Sequence, residues 1–141
     1  MNRRDFMLLT ASVSLLPALA PLAAHAITLD YTPGLVEERL AAGDTVFLDF
    51  KASWCSTCAA QERVIGAIKG ENPAYEAAIT FINVDWDQYG EDALTIRLNI
   101  PRRSTLVVLK GEDELGRIVA GTATEEIQAL MDVALGAATS S

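Results

Sequence analysis

Histidine is nearly absent from this chain of 141 residues, which carries only His25. Cysteine is scarce too: there are two, Cys55 and Cys58. Basic side chains number 11 against 19 acidic ones, for a formal charge of −8. Each shortage excludes a class of function. A zinc site needs four N, S or O ligands, and two thiols with one remote imidazole do not supply them. Only a metal shared between two chains through Cys55 and Cys58 survives of that reading. So acidic a chain is a poor partner for nucleic acid or an anionic membrane, and neither is expected to bind. Internal repeats and a second domain are lacking as well.

What is present at the N-terminus reads as an export signal. Asn2-Arg3-Arg4-Asp5-Phe6-Met7-Leu8 looks like the twin-arginine motif of bacterial Tat signals, although a twin arginine also suits an ordinary Sec signal. An apolar stretch follows, and Ala24-His25-Ala26 fits the small-residue rule for cleavage. A membrane anchor is the competing reading. Pro17 and Pro21 interrupt the stretch and alanine outweighs the larger apolar residues, which favours cleavage after Ala26. Residues 1–26 are thus expected to leave, and residues 27–141 to form one exported, periplasmic domain with 9 basic and 18 acidic residues and no histidine.

Both cysteines stand in Trp54-Cys55-Ser56-Thr57-Cys58, just after an apolar run that reads as a buried strand. As a structural staple the pair would close too short a loop to add much by chain entropy. Thiol–disulfide exchange, in contrast, needs an attacking sulfur and a second one that releases the mixed disulfide. A helix starting at the motif lowers the pKa of the first thiol. With Val46-Phe47-Leu48-Asp49-Phe50-Lys51-Ala52-Ser53 in front of it, the motif resembles the active-site strand and turn of thioredoxins. Phe47 to Ile65 most resembles the C-terminal periplasmic domain of DsbD-type transmembrane reductases and related secreted thioredoxin-like proteins.

The rest of the chain reads in the same order. Thr32-Pro33 opens a helix that Gly43 ends. Thr45 to Ala52 is a strand, and the chain is helical from Cys58 to about Lys69, with Gly70 as its stop. Asn72-Pro73 starts a short segment through Ala78, Ile79 to Val84 is a strand, and Glu91 to Leu98 a helix. Thr105 to Leu109 and Gly116 to Ala120 form a hairpin about the charged turn Lys110–Glu114. Thr122 and Glu125 make a capping box for a last helix to about Leu135, and Ala137 to Ser141 reads as a frayed tail. This alternation implies an α/β thioredoxin fold: a central mixed β-sheet of about four strands with helices on both faces. The resemblance covers nearly all of residues 27–141.

The resemblance assigns roles. Cys55 is the exposed nucleophile and Cys58 the resolving thiol; Trp54 packs beside the turn, and Ser56 and Thr57 offer sulfur only weak hydrogen bonds. Asp49 shares a strand face with Phe47 and Lys51, among apolar neighbours, so its carboxyl is expected to be buried with a raised pKa. An ordinary exposed strand carboxylate is the alternative. The family places an aspartate there, behind the second cysteine, to deprotonate it through water. Phe81 falls where many thioredoxins carry a lysine that pairs with this aspartate.

The family's cis-proline loop is altered. In Ile100-Pro101-Arg102-Arg103-Ser104-Thr105-Leu106 either Pro101 is that proline, with extra residues before the strand, or Ser104 takes its place. Keeping the strand and hairpin in register favours Ser104, in a trans peptide because a non-proline cis bond costs about 2.5–4 kcal/mol. Arg102 and Arg103 are expected near this docking loop, either solvated or serving the Cys55 thiolate or an acidic partner.

The expected function is exported thiol–disulfide oxidoreductase, working as a reductase because no basic residue or histidine lies between the cysteines. An oxidase or isomerase, and a binding module with a non-catalytic disulfide, are the alternatives. No cofactor is expected beyond the Cys55–Cys58 disulfide. Implied partners are protein disulfide substrates, apocytochrome c thiols among them, and a membrane electron donor of DsbD or CcdA type; the chain is expected to be a monomer.

Overall fold

The computed structural model describes residues 28–140. The expected export signal therefore lies outside the described residues. In chain order the elements are β1 (Leu29–Asp30), α1 (Leu35–Ala41), β2 (Thr45–Lys51), α2 (Ser56–Glu71), α3 (Ala74–Ala78) and β3 (Thr80–Asp85). There follow α4 (Trp86–Tyr89), α5 (Ala93–Arg97), β4 (Thr105–Lys110), β5 (Asp113–Val119) and α6 (Thr124–Thr139). The sheet has five strands in the order β1-β3-β2-β4-β5. β1 and β2 run parallel to β3, whereas β4 is antiparallel to β2 and to β5. It is the expected mixed sheet with one more edge strand. β1 escaped the sequence because two residues carry no period.

β2 is central and apolar on both faces. Phe47 points with Phe81, Leu106 and Val108 into a core closed by Ile65 and Ile68 of α2, Tyr75 of α3, and Ile127, Leu130 and Met131 of α6. Val46, Leu48 and Phe50 point the other way, against Val36 of α1 and Leu94 of α5. This two-sided burial holds the end of β2, and with it the cysteine turn, rigidly in the middle of the sheet.

Helix boundaries differ from expectation for local reasons. Thr32 does not cap a helix: its carbonyl closes a turn by accepting the Leu35 N–H at 3.0 Å, and α1 starts after Gly34 at φ +91°. Only glycine reaches that region without steric cost. Gly43, at φ +90°, does end α1; its N–H donates to the Leu40 carbonyl and the Asp44 N–H to the Arg39 carbonyl, the Schellman pattern. α2 runs past Gly70, and Asn72-Pro73 stops it; the interior glycine is tolerated because Ile65 and Ile68 anchor the helix in the core. The capping box at α6 does not form. The cap is Ala123, which has no side-chain acceptor, and the helix starts at Thr124. Its tail stays helical to Thr139 because Ala134 is buried and Leu135 and Ala138 pack on the core. α4 was not foreseen; the Asp85 carboxylate starts it by accepting the Asp87 N–H.

The packing of α6 on the sheet can be tested at Met131, which is fully buried in the core on the α2 face. Met131→Ala should cost about 2–5 kcal/mol of stability through lost transfer energy and a residual cavity. Urea unfolding checks it, with a lowered midpoint at unchanged slope as the expected result.

Candidate active site

Cys55 and Cys58 form a disulfide, with Cα atoms 5.3 Å apart, where β2 hands over to α2. The Ala52 carbonyl accepts the Cys55 N–H at 3.2 Å and closes the turn. Cys55 is itself the cap of α2: its sulfur takes the Cys58 N–H at 3.1 Å. The sulfur thus does the work that serine or aspartate oxygens do at other helix starts, which is why α2 begins at Ser56 rather than at Cys58. A thiolate at this position would face the partial positive charge of a helix 16 residues long.

The expectation of an exposed Cys55 needs correction. Cys55 is 5% exposed and Cys58 1%. Ala52 and Trp86 pack on the pair from one side, and the Ser104 hydroxyl lies 3.1 Å from the Cys55 sulfur and 3.2 Å from the Cys58 sulfur. Access to Cys55 comes from a cavity of about 510 Å³ lined by Tyr31, Lys51, Ala59, Glu62 and Tyr89 among others. The Ser56 and Thr57 hydroxyls make no hydrogen bond to sulfur, and Ser56 faces solvent.

Of the two residues weighed for the docking loop, Ser104 faces the cysteines. Pro101 is exposed, and the described residues hold no cis peptide bond. Ser104 is fully buried at φ +63° and held by three backbone contacts. Its N–H donates to the Phe50 carbonyl at 2.7 Å, and its carbonyl accepts the Ala120 N–H at 2.8 Å. The third is the Gln61 amide, which donates to the Ser104 carbonyl at 3.0 Å and to the Gly121 carbonyl at 2.9 Å. Gln61, one turn after Cys58 in α2 and fully buried, was missed from sequence. A glutamine on the apolar face of a helix was the available signal. Thr105 is buried as well and donates to the Arg102 carbonyl at 2.7 Å, shaping the loop as it enters β4.

Asp49 is 6% exposed, on the Phe47 face of β2, and one of its carboxylate oxygens, Oδ1, has no hydrogen-bond partner. Burial pushes its pKa up to about 6, with Lys51 and Lys69 pulling in the opposite direction. It borders a second cavity of about 170 Å³ with Glu62, Lys69, Phe81 and Asn83. Glu62 and Asn83 line both cavities, and Glu62 is ion-paired with Lys51. Phe81 stands on β3 at this cavity, and Lys69 of α2 lies over it, its ammonium 3.8 Å from the ring centre and 3.6 Å from the Glu76 carboxylate. Desolvation lowers the Lys69 pKa, and Glu76 and Asp49 act against that. Sequence had shown Lys69 only as the last residue of a helix.

Trp54 is 59% exposed beside the turn. Its indole N–H donates to the Asp87 carboxylate at 3.0 Å, and the Arg103 guanidinium lies 4.5 Å from its ring centre. Arg102 turns back to donate to the Arg103 carbonyl at 3.1 Å. The arginine pair is near the site, as expected, but its contacts are to Trp54 and the loop backbone rather than to sulfur.

The site is thus a cysteine pair capping the helix after a central strand, faced by a buried loop residue, with a buried aspartate on that strand. The family model for thioredoxin matches residues 30–133. The chain belongs to the thioredoxin family. Among curated proteins it is similar to thioredoxin H2-1 of Oryza sativa subsp. japonica, 35% identical over 80 residues, which are 57% of this chain and 54% of that protein. The chain thus spans about half the length of the curated relative it matches. Among solved structures it resembles thioredoxin from Trypanosoma brucei brucei, with TM-score 0.63, 21% identity, and 82% of this chain and 97% of that one covered. Trxlp from Edwardsiella tarda gives TM-score 0.61 and 24% identity over 74% of this chain and 96% of that one. At those identities the likeness establishes the thioredoxin fold, and Cys55–Cys58 is the disulfide at the start of its α2.

The buried carboxyl of this thioredoxin-family chain has a signature in stability. Because the folded pKa of Asp49 lies above the unfolded one, the folded protein holds the proton more tightly, and stability falls as pH rises from about 3.8 to about 6. Above that window the ionised group costs a constant amount, on the order of 3 kcal/mol. Asp49→Asn should lose this pH dependence and unfold at higher urea than wild type at neutral pH. Equal midpoints there would show that the carboxyl is not held in an apolar setting.

Proposed function

We propose that the protein is an exported thiol–disulfide oxidoreductase that reduces protein disulfides in the periplasm. The observation that carries the chemistry is the Cys55–Cys58 pair at the α2 start, with a buried carboxyl, Asp49, on the strand that leads into it. In the reduced protein the Cys55 thiolate attacks one sulfur of a substrate disulfide. The Cys55–substrate bond forms, the substrate bond breaks, and the departing thiolate takes a proton from water. Asp49, acting through water, accepts the Cys58 thiol proton. The Cys58 thiolate then attacks the Cys55 sulfur, the mixed disulfide breaks, and the second substrate thiolate leaves. Two electrons have moved from protein to substrate.

The reducing direction is supported by the absence of a basic residue between the cysteines. An exported reductase needs electrons from across the membrane, so the twin-arginine start and the resemblance to DsbD-type domains together point to a DsbD- or CcdA-like donor. Oxidised apocytochrome c and other periplasmic disulfides are fitting substrates. Docking would involve the loop from Pro101 to Thr105, with Arg103 and Trp54 at its rim.

Equilibration with glutathione tests the direction. A potential near that of thioredoxin, about −270 mV, supports a reductase; one near about −120 mV makes the protein an oxidant, and a pair that does not exchange is a staple. The order of attack is tested separately: Cys58→Ser should accumulate a mixed disulfide on Cys55. Trapping only on Cys58, in the converse variant, would reverse the assignment.

A further inference from the structure

We infer that Ser104 is a catalytic residue whose hydroxyl stabilises the Cys55 thiolate and then follows the negative charge to Cys58. The hydroxyl oxygen is nearly equidistant from the two sulfurs, at 3.1 and 3.2 Å. The residue is fully buried, so water does not compete for that hydroxyl. Among the described residues the only other donor on either sulfur is the Cys58 N–H, which serves Cys55 alone. Lys51, Glu62, Asp30 and Asp85 border the cavity beside Cys55, Asp49 is buried on β2, and Arg102 and Arg103 stand in the loop; none is hydrogen-bonded to a sulfur. Neutral donors therefore carry the thiolate in this protein.

Backbone geometry supports a demand for this side chain. Ser104 sits at φ +63°, where glycine would be free of strain and a side chain is not. Its peptide is fixed by Phe50, Ala120 and Gln61, which aim the Cα–Cβ bond at the disulfide. A non-glycine residue persists in such a conformation only when its surroundings over-determine it, and such residues cluster at functional sites.

One hydroxyl donates one hydrogen bond. In the reduced protein it points at the Cys55 thiolate. When Cys58 loses its proton and attacks, the hydroxyl rotates to Cys58, then releases it as the disulfide closes. Ser104 keeps its proton throughout, and no other co-reactant is needed. Because the disulfide carries no charge for the hydroxyl to stabilise, the contact favours the reduced form and makes the pair more oxidising than it would otherwise be. The inference rests on the exchange reading above, but its main readout is a thiol pKa that needs no substrate.

The experiment compares wild type with Ser104→Ala and Ser104→Gly, following thiolate absorbance of the reduced protein against pH. The Cys55 pKa should rise by about one unit in both, a tenfold loss of thiolate below the pKa. The glutathione equilibrium should move toward the disulfide form by about tenfold, or about 30 mV more reducing. Should the alanine variant not fold, the glycine variant decides, since its backbone suits φ +63°. An unchanged or lowered Cys55 pKa in a folded variant overturns the inference while leaving exchange intact. A pair that never exchanges with glutathione overturns the exchange reading instead.

Discussion

The hydrogen bonds around one peptide, that of Ser104, tie the site to the fold. Phe50 at the end of β2, Ala120 at the exit of β5 and Gln61 in α2 all bind it. The strand that leads into the cysteines, the helix that follows them and the last strand of the sheet thus meet at the residue facing both sulfurs. Leaving any of these buried groups unpaired would cost about 1–3 kcal/mol, so the loop has little freedom to withdraw. The disulfide sits within a framework whose geometry is decided elsewhere in the chain.

Around that framework the charges are arranged with restraint. Among the described residues no side-chain charge is hydrogen-bonded to the sulfurs; the helix start and two neutral donors face them instead. Among the described residues Asp49 is the one buried carboxylate, and it borders a cavity with room for several waters. Lys69 of α2 borders the same cavity, lying over the Phe81 ring and ion-paired with Glu76. On β3 the neighbouring position is taken by Phe81, an aromatic that packs against Phe47.

At the surface beside the pair, Trp54 is held by Asp87 from below and covered by Arg103 from above. An exposed indole fixed on both sides presents a rigid apolar face at the rim of the site, with little side-chain entropy left to lose on contact with a substrate. The loop arginines, conspicuous in an acidic chain, serve this surface and the loop's own carbonyls.

Much was legible before any coordinates. The alternation of apolar runs with helical stripes specified a mixed sheet between two helical layers, since each apolar face must be buried against something. The spacing of Cys55 and Cys58 after a buried strand specified a dithiol at a helix start, and Asp49, flanked by Leu48 and Phe50, declared itself as a buried carboxyl. These are local properties: periodicity, turn chemistry and a spacing of a few residues. Helix ends were less legible, because Gly70 and the Thr122–Glu125 pair carry local signals that packing overrode. What only the tertiary structure decided were the contacts between residues far apart in the chain: Ser104 against both sulfurs, Gln61 against the loop, and Lys69 beside Asp49. No local pattern encodes such meetings, because they depend on how β2, α2 and β4 pack; the sequence names the groups, and only the packing sets which sulfur, carbonyl or carboxylate each one reaches.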